Sequence, residues 1–357
     1  MDFISAREAA ERWGITQRRV SVLCNEGRIK DAVMVGNMWI IPADAKKPED
    51  ARTTRKKTEV QSTPRPFLKW AGGKGQLLPE IRKRYISVLN SNIKKYAEPF
   101  VGGGAVLFDI VGAHKFEEIF ISDINMELIN AYKVIRDKVD ELIGELTILQ
   151  ESFLSLEAKE RKAFYYKARD EYNVIKINGN ASINLRKAAL MIFLNRTCFN
   201  GLYRVNSKGL FNVPMGNYKN PQICDKENLL AVSAALRNVE IVCAQFTDSE
   251  SFIDEHTLVY FDPPYRPLNA TSSFTSYTED AFDDEQQKRL AAYIDHLSAK
   301  GAKIIVSNSD PKNVDPHDDF FDSLYAKYRI ERVVAPRMIN SKVVSRGKIS
   351  EIMVTNF

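Results

Sequence analysis

Apolar positions along this chain change period several times, and each change predicts a different kind of structure. Between Ser5 and Leu23 they recur at helical spacing in two short runs separated by Gly14. Ser5-Ala6-Arg7-Glu8 is a capping-box pattern that opens the first run, and Thr16 is placed to cap the second. After Gly27, residues Ala32 to Ile41 are rich in β-formers and are split by the hairpin-type turn Gly36-Asn37. Two helices and a hairpin outline a small winged helix-turn-helix. From Ala43 to Arg65 the chain is polar and charged with little apolar content, which predicts a linker.

From Pro66 onward strand and helix patterns alternate, the signature of an α/β sheet with helices on both faces. Strands are expected at Tyr96 to Glu98, Ile119 to Ser122, Thr257 to Phe261 and Lys303 to Val306. Between Arg136 and Asn220 the alternation stops. That stretch holds helical segments, with Val139, Leu142, Ile143 and Leu146 on one face, and then a hairpin-like Leu202 to Val213 around Asn206-Ser207-Lys208-Gly209. An insertion of this size beside a site strand predicts a substrate-recognition subdomain. Lys327 to Val334 and Ile349 to Asn356 read as a final antiparallel pair. The expected division is an appendage at 1–45, a linker at 46–65, a body at 66–135 and 221–357, and an insertion at 136–220.

At 357 residues, 44% hydrophobic and 27% charged, the chain is long enough for one large domain and an appendage. It has no apolar run of membrane-spanning length and no charged-then-apolar leader, so a cytoplasmic chain with no membrane partner is expected. Cys24, Cys198, Cys224 and Cys243 lie far apart, without a C-x-x-C pair or a histidine partner, and read as reduced thiols with no metal site. The net charge of +5 is unevenly placed. Residues 1–65 hold 13 Lys+Arg against 9 Asp+Glu, leaving +1 for everything after them. A basic appendage suits a polyanionic partner, because neutralised phosphates release counterions. Gln17, Arg18 and Arg19 begin the second helix, the part that meets base edges or phosphates when such a helix enters a major groove. The alternative is a docking or dimerisation unit whose arginines only keep it soluble.

Three segments carry candidate chemistry. Glu98-Pro99-Phe100-Val101-Gly102-Gly103-Gly104 ends a strand in glycines and runs into an apolar helix. Glycines there, Gly102 among them, let a cofactor approach the backbone at the carboxyl edge of a doubly wound sheet. Asp123 ends the next strand, where an acid accepts hydrogen bonds from ribose hydroxyls. Position 107 is Leu, so the dinucleotide fingerprint G-x-G-x-x-G fails, which argues against a nicotinamide cofactor. A purely structural tight turn is the alternative.

Asp262-Pro263-Pro264-Tyr265 directly follows an apolar strand. Consecutive prolines cannot donate and force the preceding residues extended, so their carbonyls are expected to be free to accept. That suits an exocyclic amine such as adenine N6, whose lone pair is delocalised into the ring and whose two protons can each be bonded. A carboxylate on one and the Pro263 carbonyl on the other would localise the lone pair and aim it at a sulfonium methyl, with Tyr265 stacking on a base taken out of the duplex. The alternative is a proline-stiffened loop with a capping aspartate. In the third segment, Phe67 to Lys74, an aromatic, a glycine pair and two lysines precede a helix, which composition alone leaves as a loop.

Taken in order, Phe67 to Lys74, Glu98 to Gly104, Asp123-Ile124-Asn125, Phe199 to Arg204, Phe211-Asn212-Val213-Pro214 and Asp262 to Tyr265 resemble the Dam family of bacterial and phage DNA adenine-N6 methyltransferases. The likeness runs from about Pro66 to the C-terminus and includes Phe274-Thr275-Ser276-Tyr277. It implies a Rossmann-like, S-adenosylmethionine-dependent methyltransferase sheet with a helical and hairpin target-recognition insertion. It also implies cofactor contacts at Trp70, Lys74, Asp123 and Asp262, with Phe100 near the adenine ring. The catalytic motif would be Asp262, Pro263, Pro264 and Tyr265. Phe199 and Asn200 match the pair that fills the gap left by a flipped base. Leu202, Arg204 and Pro214 match positions that discriminate bases in GATC, and Lys69 one that contacts a guanine. An arginine reads guanine O6 and N7 with about 1–3 kcal/mol of discrimination. The implied partners are double-stranded DNA and, in a restriction-modification setting, a cognate restriction endonuclease, for a monomer or weak dimer. The family core does not require residues 1–65, and members vary at Phe199 and Tyr203.

Other readings are weaker. A cytosine-C5 enzyme needs a nucleophilic cysteine, typically after proline, and no Pro-Cys occurs. Cytosine-N4 enzymes usually carry Ser in place of Asp262, and an RNA methyltransferase does not account for the insertion. A non-catalytic helix-turn-helix regulator would have no need of Trp70, Lys74, Asp123 and the whole Asp-Pro-Pro-Tyr motif. The expected reaction is direct methyl transfer with no covalent enzyme intermediate and no metal, and the loop Arg266 to Phe282 is expected to order on DNA.

Overall fold

The computed structural model describes residues 2–36, 38–48, 63–89, 92–178, 183–266, 282–336 and 348–357. Asn37 of the expected turn, most of the linker and Phe274 to Tyr277 lie outside these residues. The chain forms two compact units, Met1–Gln61 and Ser62–Phe357.

The first unit is built from β1 (Phe3–Ser5), α1 (Ala6–Trp13), α2 (Gln17–Asn25), β2 (Val33–Val35) and β3 (Met38–Pro42), with the strands in antiparallel order β1-β3-β2. The capping box is present: Ser5 Oγ accepts from the Glu8 N–H at 3.2 Å, and the Glu8 carboxylate accepts from the Ser5 N–H at 2.8 Å. Gly14, at φ 64°, ends α1 in the left-handed region, and the Thr16 side chain caps α2. Ala9, Ala10, Val20, Leu23, Cys24, Ile29 and Ile41 make a small core. β1 was not expected, because three residues are too few to show a period.

The second unit holds a seven-stranded sheet in the order β6-β5-β4-β7-β8-β10-β9. Its strands are β4 (Lys95–Glu98), β5 (Glu118–Asp123), β6 (Val239–Cys243), β7 (Thr257–Phe261), β8 (Lys303–Ser309), β9 (Arg329–Pro336) and β10 (Lys348–Thr355). β4 to β8 run parallel, and β10 lies antiparallel to both β8 and β9. β7 is buried at all of its positions, as a central parallel strand requires. Its side chains alternate: Leu258 and Tyr260 join one core cluster with Tyr96, while Val259 and Phe261 join the other with Ala97. β6 escaped the sequence because, at the sheet edge, only Val239 and Ile241 are fully buried.

Between β5 and β6 run α5 (Met126–Asp137), α6 (Val139–Leu154), α7 (Ala158–Asn178), α8 (Leu185–Thr197) and α9 (Lys226–Leu236). Leu142, Ile143 and Leu146 are buried as their spacing predicted, and Ala188 to Leu194 of α8 are buried without a break. These helices share one apolar cluster with Tyr96 and Ile121 of the sheet. Segment 202–213 is less regular than the expected hairpin, with a single bridge between Val205 and Phe211. The Asn206 and Asn212 N–H groups donate across it to the Leu210 and Arg204 carbonyls, and side chains of α7 extend this short ladder: Asn173 bonds both the N–H and the carbonyl of Phe211, and Tyr165 donates to the Val213 carbonyl. α3 (Leu78–Leu89), α4 (Ala105–Ala113), α10 (Asp284–Ala299) and α11 (Phe320–Leu324) complete the layers. Among the described residues no helix is long and apolar enough to cross a membrane.

The chain leaves β4 towards β5 and β6 on one side, while β7 leads to β8 on the other. The carboxyl ends of β4 and β7 therefore flank the topological switch point, where doubly wound sheets open a crevice.

Candidate active site

Acidic side chains gather at that crevice. Glu98 closes β4, Asp123 closes β5 and Asp262 follows β7. Lys74, only 5% exposed, reaches Asp262 Oδ1 at 2.7 Å and the Gly72 carbonyl at 2.8 Å, and its ammonium lies 4.5 Å from the centre of the Tyr265 ring. Ser307 of β8 donates to the same Oδ1 at 2.9 Å, and its hydroxyl is itself 2.8 Å from the Tyr260 hydroxyl. Among the described residues these contacts fall on Oδ1, and Oδ2 has no partner. Burial raises the Asp262 carboxyl above the usual range, and the Lys74 charge opposes it.

The two proline carbonyls are not equivalent. The expectation that both are free fails at Pro264, whose carbonyl accepts from Gln287 Nε2 at 3.1 Å because α10 packs against the motif. Tyr265 is likewise tethered, its hydroxyl donating to Glu351 of β10. Arg266 forms a two-pronged pair with Asp284, at 2.6 and 3.0 Å, and a further bond to Asp318.

The glycine turn is locked to β5. The Gly102 N–H donates to Asp123 Oδ2 at 3.1 Å, the Asn125 N–H to Oδ1 at 2.9 Å, and the Tyr132 hydroxyl to the Gly102 carbonyl at 3.0 Å. A Cβ on either Gly102 or Gly103 would sit 3.1 Å from the Trp70 side chain. Gly104 is fixed twice over, by φ 73° and by the Tyr132 hydroxyl 2.5 Å from where its Cβ would stand. Burial raises the Asp123 carboxyl. Beside it, Ile124 is 55% exposed. Phe100 stacks on Phe246 at 5.5 Å, half-buried at the rim.

A second group lies around the end of α8. Asn195 joins two chain segments: it accepts from the Lys69 N–H and donates to the carbonyls of Lys69 and Gly201, each at 2.9 Å. Phe199 is 53% exposed. Asn200 is also exposed, in the left-handed region at φ 57°, and the Phe199 N–H donates to the Pro214 carbonyl at 2.8 Å. Arg204 is exposed, with Nε on Asn212 Oδ1 at 2.9 Å; Pro214 is exposed and Leu202 half-buried. Trp70 stacks on Tyr203 at 5.3 Å and so connects this group to the glycine turn. Arg18 and Arg19 are exposed on α2 of the other unit.

Several residues at the site carried no assigned role in the sequence reading. Glu98 is 2% exposed and accepts from the Tyr96 hydroxyl at 2.7 Å. Burial pushes its carboxyl up to about 8, against the Tyr96 bond and with a further push from Asp262. Ser307 had a legible signal, the polar run Ser307-Asn308-Ser309-Asp310 at the carboxyl end of an apolar strand. Gln287, Glu351 and Asn195 had none, since their partners are far away in sequence.

A profile of the D12 class N6 adenine-specific DNA methyltransferases matches residues 70–339. The chain is 51% identical over 295 residues to the Type II methyltransferase M.MjaIII of Methanocaldococcus jannaschii, covering 82% of this chain and 99% of that protein. It is 33% identical over 293 residues to the DNA adenine methylase of Escherichia coli (strain K12), covering 81% and 94%. The DNA N-6-adenine-methyltransferase of Escherichia phage P1 is 33% identical over an alignment of 351 residues that covers 95% of this chain and 43% of the phage protein. The uncovered 5% of 357 residues is about 18 residues, so the phage match takes in most of the unit Met1–Gln61.

Proposed function

The chain belongs to the D12 class of N6 adenine-specific DNA methyltransferases, whose methyl donor is S-adenosylmethionine, and from that premise we propose that it flips and methylates the adenine of GATC in duplex DNA. The observation that carries the site is the asymmetry at Asp262. Among the described residues Lys74 and Ser307 contact Oδ1, which leaves Oδ2 as the acceptor for a substrate N–H.

S-adenosylmethionine, when bound, supplies an electrophilic methyl on a sulfonium. The residues present fit it. Asp123 offers acceptors for ribose hydroxyls beside the exposed aliphatic Ile124, and the strip at Gly102 and Gly103 carries no side chain and is walled by Trp70. Phe100 borders the same rim, and Lys74 and Asp262 offer one charge of each sign for the amino-acid end. Asp262 Oδ2 and the Pro263 carbonyl each accept a hydrogen bond from one N6–H, which localises the amine lone pair on nitrogen at the expense of its delocalisation into the ring. Transfer would form the C–N bond as the methyl–sulfur bond breaks and leaves a neutral thioether, and the cationic nitrogen would then shed a proton to Asp262 Oδ2. Tyr265 stacks on the extruded base.

Extrusion costs a few kcal/mol, offset by contacts of a recognition insertion at 136–220. Phe199 and Asn200 fill the gap in the duplex, Arg204 and Lys69 face guanines, and Leu202 and Pro214 border the neighbouring bases. Arg204 suits its task because Asn212 holds Nε and leaves both terminal nitrogens for guanine O6 and N7. Residues 1–45 act as a winged helix-turn-helix that adds phosphate contacts through Arg18 and Arg19. Their support is exposure at the start of α2 and the cover of most of this unit by the phage protein.

The test is expression in a host free of DNA methylation, with modified adenines mapped by sequencing. Methylation confined to GATC, and absent with a folded Asp262→Ala variant, is expected. A different motif overturns the target, and normal turnover by Asp262→Ala overturns the site.

A further inference from the structure

Two consecutive prolines make a stiff unit. Each locks φ near −65°, and Asp262 and Pro263, both preceding a proline, are held extended. Such a unit is aimed by its ends. One end is fixed by β7, which is buried and hydrogen-bonded between β4 and β8. The other end is fixed by the Pro264 carbonyl, whose plane turns with the one soft torsion left before Tyr265. That carbonyl is held by Gln287, a side chain with no exposed surface.

The direction of the bond is forced. A carbonyl only accepts, so Gln287 must present its NH₂ to Pro264, and its Oε1 must then accept. It does so from Asn308 Nδ2 at 3.1 Å, and Asn308 Oδ1 in turn accepts from the Ser309 N–H at 2.8 Å. Every amide in this relay has one orientation, and both side chains are fully buried, so water does not replace a lost partner. Asp284 lies one turn before Gln287 on α10 and holds Arg266, so one face of that helix clamps the motif at two points.

We infer that Gln287 is a positioning residue for methyl transfer, fixing the Pro264 carbonyl so that the Asp262 carboxylate and Pro263 carbonyl keep their aim at the target amine. The inference rests on the reading of Asp262 and Pro263 given above, and the test separates the two. Single-turnover rates are measured on duplex substrate at saturating S-adenosylmethionine and DNA, from about pH 6 to about pH 9. The proteins are wild type, Gln287→Glu, Asn308→Asp and Asp262→Ala, and cofactor affinity is measured on the same samples.

In Gln287→Glu the introduced carboxyl is buried, which raises its pKa into this range. Protonated, it donates to the Pro264 carbonyl and accepts from Asn308. Ionised, it sets a negative charge against that carbonyl. The rate relative to wild type is therefore expected to be near one at the acid end and to fall at least about tenfold as pH rises, since a displacement of about 1 Å can cost roughly 100-fold. Cofactor affinity stays unchanged. Asn308→Asp touches nothing in the motif, yet its oxygen facing Gln287 favours a flipped amide and leaves Pro264 without its donor, so a drop of the same order is expected.

A rate ratio for Gln287→Glu that does not move with pH, or a wild-type rate in Asn308→Asp, overturns the inference if Asp262→Ala is inactive. An active Asp262→Ala overturns the underlying reading instead. A merely structural role for Gln287 would lower folded yield and cofactor binding together, without a pH-dependent ratio.

Discussion

Glu98→Gln is expected to make the protein more stable, and only on the alkaline side. The change swaps one oxygen for an NH₂ and leaves an oxygen to accept from Tyr96. In the unfolded chain the carboxyl titrates near 4.5, while in the fold burial holds it at about 8. At pH below 4.5 both states carry the proton, and the shift contributes nothing to the pH dependence. Between 4.5 and about 8 the folded state keeps a proton that the unfolded state has released, so the wild type loses about 1.4 kcal/mol for each unit of rising pH. Above about 8 the loss levels off. The amide variant has no such proton. Its stability advantage over wild type should therefore grow by up to about 4 kcal/mol between about pH 5 and about pH 9, a large part of a typical folding free energy. Urea unfolding of both proteins at each pH, without cofactor or DNA, measures it. A difference constant to within about 0.5 kcal/mol across that range would refute the argument that Glu98 is held neutral by its surroundings.

Two further outcomes concern DNA. Arg204→Ala should relax the preference for one guanine by about 1–3 kcal/mol in competition between GATC and singly substituted sites; an unchanged preference would remove Arg204 from base reading. Replacing Arg18 and Arg19 together by Ala should lower the slope of log affinity against log salt by about one to two, and an unaltered slope would favour the docking alternative for residues 1–45.

How much could be read in advance depended on the reach of each interaction. β7 and the Asp262 turn were legible because a buried parallel strand is a continuous apolar run and two prolines punctuate its end. α1 and α2 were legible because caps are local: Ser5 with Glu8 and Thr16 with Arg19 lie three residues apart. Partnerships between distant segments were not. Lys74 and Asp262 are separated by most of the body, and no local pattern announces that one will hold the other. Pro264 looked free because sequence shows what a proline cannot donate, not what a helix packed against it will offer. The hairpin at 202–213 had turn chemistry but only a short ladder, two backbone bonds around the Val205–Phe211 bridge, and α7 adds the rest from Asn173 and Tyr165.

β10 follows β9 in the chain yet lies between β8 and β9 in the sheet. During synthesis both strands therefore emerge before their shared partner exists, leaving backbone donors and acceptors open to stray pairing. The same strand delivers Glu351, the acceptor that ties down Tyr265. Closing the sheet and tethering that tyrosine are then one event, so a nascent chain keeps this corner of the crevice unfinished until β10 has been laid down.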